Sequence, residues 1–236
     1  MEPITRLENL PYEQRLEAAK VILQNHYRSS LLATAQDLLG YKDINPRTHG
    51  EIIESLESQT KRKLIVCPRG TFKSSLCIVS YAIWILLKDP NARILIDSEV
   101  YNNSKNFVRE IKSHFESPRI TTIFGDFKSD NNWAEGSITI KQRTKTLKES
   151  SIAASGISAT KVGQHFDYVL MDDMNSDKNS NTEEGRQKII DHYRMNISIL
   201  EPDGTIVVTA TRYASNDLVG FILETELGIE PDGSQL

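Results

Sequence analysis

Cysteine is scarce in this chain of 236 residues, which contains only Cys67 and Cys77. Two cysteines do not make the disulfide framework of a small secreted domain, and they suit a protein of a reducing compartment. Four cysteines or histidines at the spacing of metal ligands do not occur either, so the sequence does not indicate a zinc site.

Long apolar runs and a surplus of basic charge are also missing. The longest apolar stretch, Ile78 to Leu87, is interrupted by Ser80 and is too short to span a bilayer. The first residues, Met1 to Pro3, do not resemble a secretory signal, so we expect a cytoplasmic protein without a membrane partner. The net charge of −4 excludes a global basic field that would attract nucleic acid, although it leaves room for a local patch.

Short apolar runs alternate with helical patterns along most of the chain, which is long enough for one α/β domain with a sizeable core. Strands are predicted at residues 64–67, 93–97 and 205–209, and Asp203-Gly204 is predicted to form the turn before the last of them. Because strands that alternate with helices form parallel crossover units, we expect a mainly parallel sheet with helices on both faces. Residues 124–155 depart from this pattern and predict a strand-rich excursion, with short strands at 138–140 and 151–153.

Residues 1–60 predict an N-terminal helical subregion that packs on the main core, either as a cap or as a base-binding element beside the phosphate-binding loop described next. A first helix begins at Pro11, a residue that is common at helix starts. Three apolar residues at helical spacing predict the buried face of this helix: Leu16, Ala19 and Leu23. We interpret His49, further along the subregion, as an ordinary helix residue.

The stretch Leu64–Ser75 has the order that a phosphate-binding loop needs: an apolar run, a turn-prone loop, Lys-Ser and then a helical pattern. In such a loop the backbone N–H groups surround phosphates, and the helix N-terminus adds partial positive charge. Cys67 and Phe72 occupy the two positions where the usual motif has glycine. We expect the backbone cradle to tolerate them, since Gly70 remains as a permissive position. The expected nucleotide-binding residues are Pro68, Arg69, Gly70, Thr71, Phe72, Lys73, Ser74 and Ser75.

The second informative run is Asp167–Asp173, in which four apolar residues predict a buried strand that ends in two carboxylates. Ligands of open α/β sheets bind at the carboxyl ends of strands, where carboxylates can hold a cation. We expect Ser74 and Asp172 to bind Mg²⁺ and Lys73 to neutralise the β- and γ-phosphates of ATP. Asp173 would orient or deprotonate the attacking water. The two runs together predict an α/β fold of the P-loop NTPase class.

With a third motif, these runs resemble the ATPase domain of the large terminase subunit of tailed bacteriophages. Pro68–Ser74 resembles the deviant Walker A loop of that family, which has Arg-Gly early and Lys-[Ser/Thr] at its end. Tyr168–Asp173 is similar to its Walker B strand, although the family often has Glu at the position of Asp173. Val208–Tyr213 resembles its coupling segment, in which a Thr-Arg-aromatic run follows a strand. The resemblance covers residues 45–223, with the three motifs in the family's order.

The resemblance implies an ATP-driven motor that packages double-stranded DNA into a procapsid in the cytoplasm of a bacterial host. The implied partners are the portal protein, the small terminase subunit and further copies of the chain in a ring. Arg69 would contact phosphate and sense hydrolysis, and it would act in catalysis with Lys73 and Asp173. The implied coupling residues are Thr209, Ala210, Thr211 and Arg212.

Family members also carry a trans-acting arginine finger shortly before the Walker B strand. The corresponding region, residues 158–165, has no arginine, and Lys161 is the nearest substitute. The resemblance further divides the chain into the helical subregion 1–60, an ATPase core at 61–227 and a linker at 228–236. That linker would lead to the nuclease domain of full-length relatives, so we expect no nuclease activity from this chain.

Two other functions fit parts of the sequence. Another P-loop ATPase that acts on nucleic acid, such as a helicase, would share Lys73, Ser74, Asp172 and Asp173 but would not need the third motif. A non-enzymatic α/β interaction module with a degenerate loop would bind no nucleotide.

Overall fold

A computed structural model describes residues 11–159, 161 and 163–228, and in these ranges seven strands form one sheet. The strands are β1 (Arg62–Val66), β2 (Ile94–Ser98), β3 (Lys128–Trp133), β4 (Ser137–Ile140), β5 (Ile152–Gly156), β6 (Phe166–Asp172) and β7 (Leu200–Ala210). Their order across the sheet is β1-β7-β6-β2-β5-β4-β3. The first five strands in this order are parallel, and β4 and β3 continue the sheet in antiparallel fashion.

Helices precede β1, follow β7 and connect β1 to β2, β2 to β3 and β6 to β7, which confirms the α/β class. They are α1 (Tyr12–Ser29), α2 (Leu31–Ala33), α3 (Pro46–Glu57), α4 (Tyr81–Lys88), α5 (Tyr101–Phe115), α6 (Pro118–Phe124), α7 (Asp177–Ser180), α8 (Glu183–Ser198) and α9 (Leu218–Leu227). Two π-helical segments extend this set: Thr34–Leu38 continues α2, and Ser75–Ser80 leads into α4. No helix in the described ranges is both long and apolar enough to cross a membrane.

Helices cover both faces of the sheet. Successive residues of the central strands point to opposite sides, so that each strand contributes side chains to two cores. On β2, Ile96 belongs to the core shared with α4 and α5, whereas Leu95 belongs to the core shared with α8 and α9. On β6, Leu170 and Met171 divide between the two cores in the same way. The prediction of helices on both faces is therefore confirmed.

The N-terminal helices share the first of these cores with the sheet. Leu31 and Leu38 are buried in the same cluster as Ile65 of β1. The predicted buried face of α1 is wrong, however, since Leu16 is 41% exposed and Leu23 is 38% exposed. The helix makes its hydrogen bonds to the body of the protein near its C-terminal end: Gln24 donates to Ile123 O, and Arg28 donates to Leu87 O. Residues 1–10 lie outside the described ranges.

Two details of the strand predictions need correction. Strand β7 begins at Leu200, so Asp203-Gly204, predicted as a turn, lies within the strand. The strands predicted in the 124–155 region are present, but this region is part of the main sheet, because β5 pairs in parallel with β2. The proposed linker at 228–236 lies outside the described residues except for Gly228.

Candidate functional site

Three predicted motifs meet at one edge of the sheet. Strands β1, β7 and β6 are neighbours and run parallel, so their carboxyl ends lie side by side. The Lys-Ser loop follows β1, Asp172 and Asp173 close β6, and Thr209 to Tyr213 lie at the end of β7. The register brings Asp172 beside Thr209, and the N–H of Cys67 donates to Ala210 O at 3.2 Å. Strand β7 thus joins the loop to the two acids.

The loop after β1 has an unusual backbone. Gly70 has a φ of 80°, and Phe72 has a φ of 54°, a left-handed conformation that bulky residues rarely adopt. The loop is closed by a hydrogen bond from Thr71 Oγ1 to Pro68 O at 2.9 Å. The following helix begins with Leu76 N donating to Phe72 O at 2.9 Å. Phe72 therefore has a left-handed φ that glycine adopts without strain, while its side chain remains 42% exposed.

An open cavity of about 340 Å³ lies against this loop. Its lining consists of Arg69, Gly70, Thr71, Phe72, Lys73, Ser74, Ser75 and Asp173. These are seven of the eight residues predicted to bind nucleotide together with the second acid, and Pro68 does not line it. Among the hydrogen bonds of the described residues, none is donated by the backbone N–H of Gly70, Phe72 or Lys73. The loop that lines the cavity therefore keeps backbone donors that an anion could use.

Ser74 and Asp172 form the first polar contact of the site. Ser74 Oγ lies 2.8 Å and 3.0 Å from the two carboxylate oxygens of Asp172. Thr209 Oγ1 donates to Asp172 Oδ1 at 2.7 Å from the neighbouring strand. Burial raises the pKa of Asp172 above its ordinary value, although hydrogen bonds from Thr209 and Ser74 oppose that shift. A hydroxyl and a carboxylate side by side are the hard oxygen ligands that Mg²⁺ prefers.

Lys73 and Asp173 form the second contact. Lys73 Nζ lies 2.9 Å from Asp173 Oδ2 and 3.3 Å from Thr211 Oγ1, and the lysine is buried. The backbone of Asp173 has a φ of 41°, and its N–H donates to Thr209 O at 3.1 Å. Both non-glycine residues with positive φ in the described chain, Phe72 and Asp173, therefore line the same cavity. Such strained positions cluster at functional sites.

Arg69 extends from the loop toward the third motif. Its guanidinium donates to the Tyr213 hydroxyl and lies over the Tyr213 ring, with Cζ 5.7 Å from the ring centroid. The backbone N–H of Tyr213 in turn donates to Asp217 Oδ2 at 3.0 Å. Asp217 is fully buried and caps α9 through the N–H groups of Val219 and Gly220. A continuous set of contacts thus leads from the loop arginine to the start of α9.

The other coupling residues lie along the same path. Thr209 and Ala210 are buried at the end of β7, and Thr211 contacts both Lys73 and Cys67 O. Arg212 follows on the exposed side of the chain. The structure therefore places these four residues, as a group, between the loop and α9.

Lys161 does not join this site. It is 2% exposed, and its Nζ lies 2.6 Å from Asp97 Oδ2 and 2.8 Å from Asn196 Oδ1. His192 Nε2 lies 2.7 Å from the same Asp97 oxygen. Burial favours the neutral carboxyl, but the donors from His192 and Lys161 outweigh it and hold the pKa of Asp97 below its ordinary value. A lysine that is buried and ion-paired in this way is not positioned to reach a neighbouring subunit.

The structure adds one residue that the sequence interpretation set aside. His49 of α3 is 3% exposed, and its Nε2 lies 3.0 Å from Thr71 O in the loop. The sequence shows only that His49 follows Asn45 by four residues, which places it one helical turn inside α3. The helical pattern alone does not show that this turn faces the loop.

Comparison of the whole chain with models of known protein families and with curated proteins gave no match.

Proposed function

We propose that this chain is a Mg²⁺-dependent ATPase whose active site is the cavity at the carboxyl ends of β1, β7 and β6. The observation that carries the proposal is the pairing of the Lys-Ser loop with the two acids. Ser74 is hydrogen-bonded to Asp172, and Lys73 forms a salt bridge with Asp173, although β7 lies between the two strands that carry these motifs. Hydroxyl, carboxylate and ammonium groups in this arrangement suit a metal-bound polyphosphate.

The residues fit the groups that they would hold. Ser74 and Asp172 offer adjacent hard oxygens for Mg²⁺, which would supply charge neutralisation at the phosphates. Lys73 and the N–H groups of the loop would bind phosphate oxygens. Asp173 would then be released from Lys73 and could orient the attacking water or accept its proton. Without substrate, the ion pair fixes the positions of Lys73 and Asp173, and bound phosphate would separate them.

We propose further that the ATPase is the motor domain of a phage DNA-packaging terminase. The support is the resemblance of the three motifs and the contact of Arg69 with Tyr213, which links the loop to the third motif. In this proposal the chain acts in the host cytoplasm on double-stranded DNA, with the portal protein, the small terminase subunit and other copies of itself. The proposal does not use Lys161 as the trans-acting finger, because this lysine is buried and paired with Asp97.

The ATPase proposal is tested by measuring Mg²⁺-dependent ATP binding and hydrolysis of the full chain and of Lys73→Ala. Binding and hydrolysis should both fall in the variant, because the phosphates lose their buried cation. Lys42→Ala, a change of an exposed lysine far along the chain from the loop, is the matched control and should behave as the parent does. Equal ATP binding by parent and Lys73→Ala would overturn the proposal.

The motor proposal needs a separate measurement. ATP hydrolysis is followed with double-stranded DNA alone and then with DNA, procapsid and portal together. A packaging motor should hydrolyse ATP faster when all components are present. Stimulation by nucleic acid that procapsid and portal leave unchanged would favour a helicase-like ATPase.

A further inference from the structure

His49 connects the N-terminal helices to the loop of the proposed ATP site, and its ring is fixed from both sides. Nε2 lies 3.0 Å from Thr71 O, and the N–H of Asn45 donates to Nδ1 at 3.2 Å. Because a carbonyl oxygen can only accept, Nε2 is the donor to Thr71 O, while Nδ1 lies beside both the N–H and the carbonyl oxygen of Asn45, at 3.2 Å and 3.3 Å. The start of α3 thus holds the ring with Nε2 directed toward the loop.

The cap that orients this ring is built by neighbouring residues. Asn45 Oδ1 accepts from Thr48 N at 3.0 Å, and Asn45 O accepts from His49 N at 2.9 Å. Pro46 occupies the first turn, where its fixed φ favours the helix start. The imidazole is therefore held by the first turn of α3 as well as by its hydrogen bond to the loop.

The hydrogen bond acts on the peptide group between Thr71 and Phe72. This peptide is trans, so the carbonyl of Thr71 and the N–H of Phe72 point in opposite directions. When His49 binds the carbonyl on the α3 side, the N–H of Phe72 is directed to the other side of the loop. Thr71 and Phe72 both line the cavity. The orientation of this one peptide decides whether the loop presents an N–H or a carbonyl to an anion.

Phe72 makes this support necessary. Its φ of 54° is unfavourable for a bulky side chain, and the peptide before it could relieve the strain by turning over. A glycine at this position would need no such support. We infer that His49 is a positioning residue of the proposed ATP site: it holds the Thr71–Phe72 peptide with the Phe72 N–H toward the phosphates. This inference rests on the proposed function.

Two substitutions of His49 separate its two hydrogen bonds. In His49→Asn the side-chain oxygen can replace Nδ1 as acceptor for Asn45 N, but no donor reaches Thr71. In His49→Gln the longer amide can replace Nε2 as donor to Thr71. Mg·ATP binding should be about tenfold weaker in His49→Asn, the ratio that corresponds to one hydrogen bond, and should return to within about threefold of the parent in His49→Gln. Adenosine binding should be equal in all three chains.

Urea unfolding of the three chains tests for a purely structural role. In that case His49→Asn would lower the free energy of unfolding and would weaken the binding of ATP and adenosine equally. His49→Asn that binds Mg·ATP as tightly as the parent would overturn the inference, as would equal losses in both variants. A parent chain that binds no ATP would instead overturn the proposed function, and this inference with it.

A measurement on the parent chain alone avoids any question of folding. The amide ¹H–¹⁵N resonance of Phe72 should shift strongly when Mg·ATP is added, because its N–H donates to phosphate. An unchanged Phe72 resonance under conditions where ATP is bound would contradict the inference.

Discussion

The ammonium of Lys73 lies 2.9 Å from the carboxylate of Asp173, although the two residues are 100 positions apart in the chain and strand β7 lies between the strands that they follow or end. Each residue satisfies the other in the described structure. A polyphosphate that draws Lys73 away would leave Asp173 open to solvent or water. Substrate binding would therefore separate the two side chains, so that Lys73 acts on the phosphates and Asp173 on the water.

Asp173→Asn should separate ATP binding from hydrolysis. The amide keeps the size of the side chain but cannot take a proton, so we expect hydrolysis to fall by about 10²–10⁴-fold. Binding of Mg·ATP should be retained or become tighter, because Lys73 loses its competing carboxylate. Single-turnover hydrolysis and equilibrium binding measure the two effects, and a parallel loss of both would assign Asp173 to binding alone.

Asp172→Asn, unlike Asp173→Asn, should weaken the Mg²⁺-dependent binding of ATP. The same change should raise the free energy of unfolding. Burial raises the folded-state pKa of Asp172, so the charged form is disfavoured on folding, and its cost appears as the pH rises from the unfolded value of 3.8 through the folded value. The stability advantage of Asn should therefore be absent below that window, grow within it and stay constant above it.

Urea unfolding of parent and Asp172→Asn over a pH series measures this advantage. Thr209→Val is a useful companion, because it removes the hydroxyl that donates to Asp172 and should raise the carboxyl pKa further. An advantage of Asn that is the same at all pH values would show that the charge of Asp172 carries no folding cost.

The backbone at Phe72 can be tested against that at Gly70. Phe72→Gly should stabilise the chain by roughly 0.5–1 kcal/mol, because a left-handed φ costs a bulky residue more than the extra backbone entropy costs glycine. Gly70→Ala should destabilise it by about 1–2 kcal/mol for the same reason. A Cβ at Gly70 would meet no atom within 4 Å, so the second change reports on φ alone. Chemical denaturation of both variants gives the comparison, and a destabilised Phe72→Gly would contradict the assigned strain.

Lys161→Met should be among the most damaging single substitutions outside the site. It would leave the carboxylate of Asp97, which is fully buried, without its ammonium partner, and breaking a buried pair costs about 3–5 kcal/mol. The double variant Asp97→Asn with Lys161→Met removes both charges and should regain most of the loss. Thermal or urea unfolding would test this, and a mild effect of the single change would mean that the pair is readily hydrated.

Much of the fold follows from the sequence because the central strands are short apolar runs bounded by turns and helices. The run before Asp172 and the one before Ala210 could be identified in this way, and both lie in the sheet interior. Pattern alone could not place β7 between β1 and β6. Periodicity also failed for Leu16, since a repeat of apolar residues marks a helix face but does not supply a neighbour to cover it.

The candidate site was predictable where the chemistry is local to a motif. Lys73, Ser74, Asp172 and Asp173 meet as expected from the strand ends. The environments of Lys161 and His49 were not predictable, because each depends on an element distant in the chain. Lys161 contacts Asp97 of β2 and Asn196 of α8. Spacing within a sequence carries no information about such partners.

Strand β7 has a mechanical consequence for this molecule. It separates β1 from β6 by two inter-strand spacings, roughly 9.5 Å, and the lateral hydrogen bonds of a sheet keep that width nearly constant. The distance between the loop after β1 and the two acids that end β6 is therefore nearly constant. When a ligand binds, side chains and the loop must therefore move to fit it, while the strands of the sheet keep their positions.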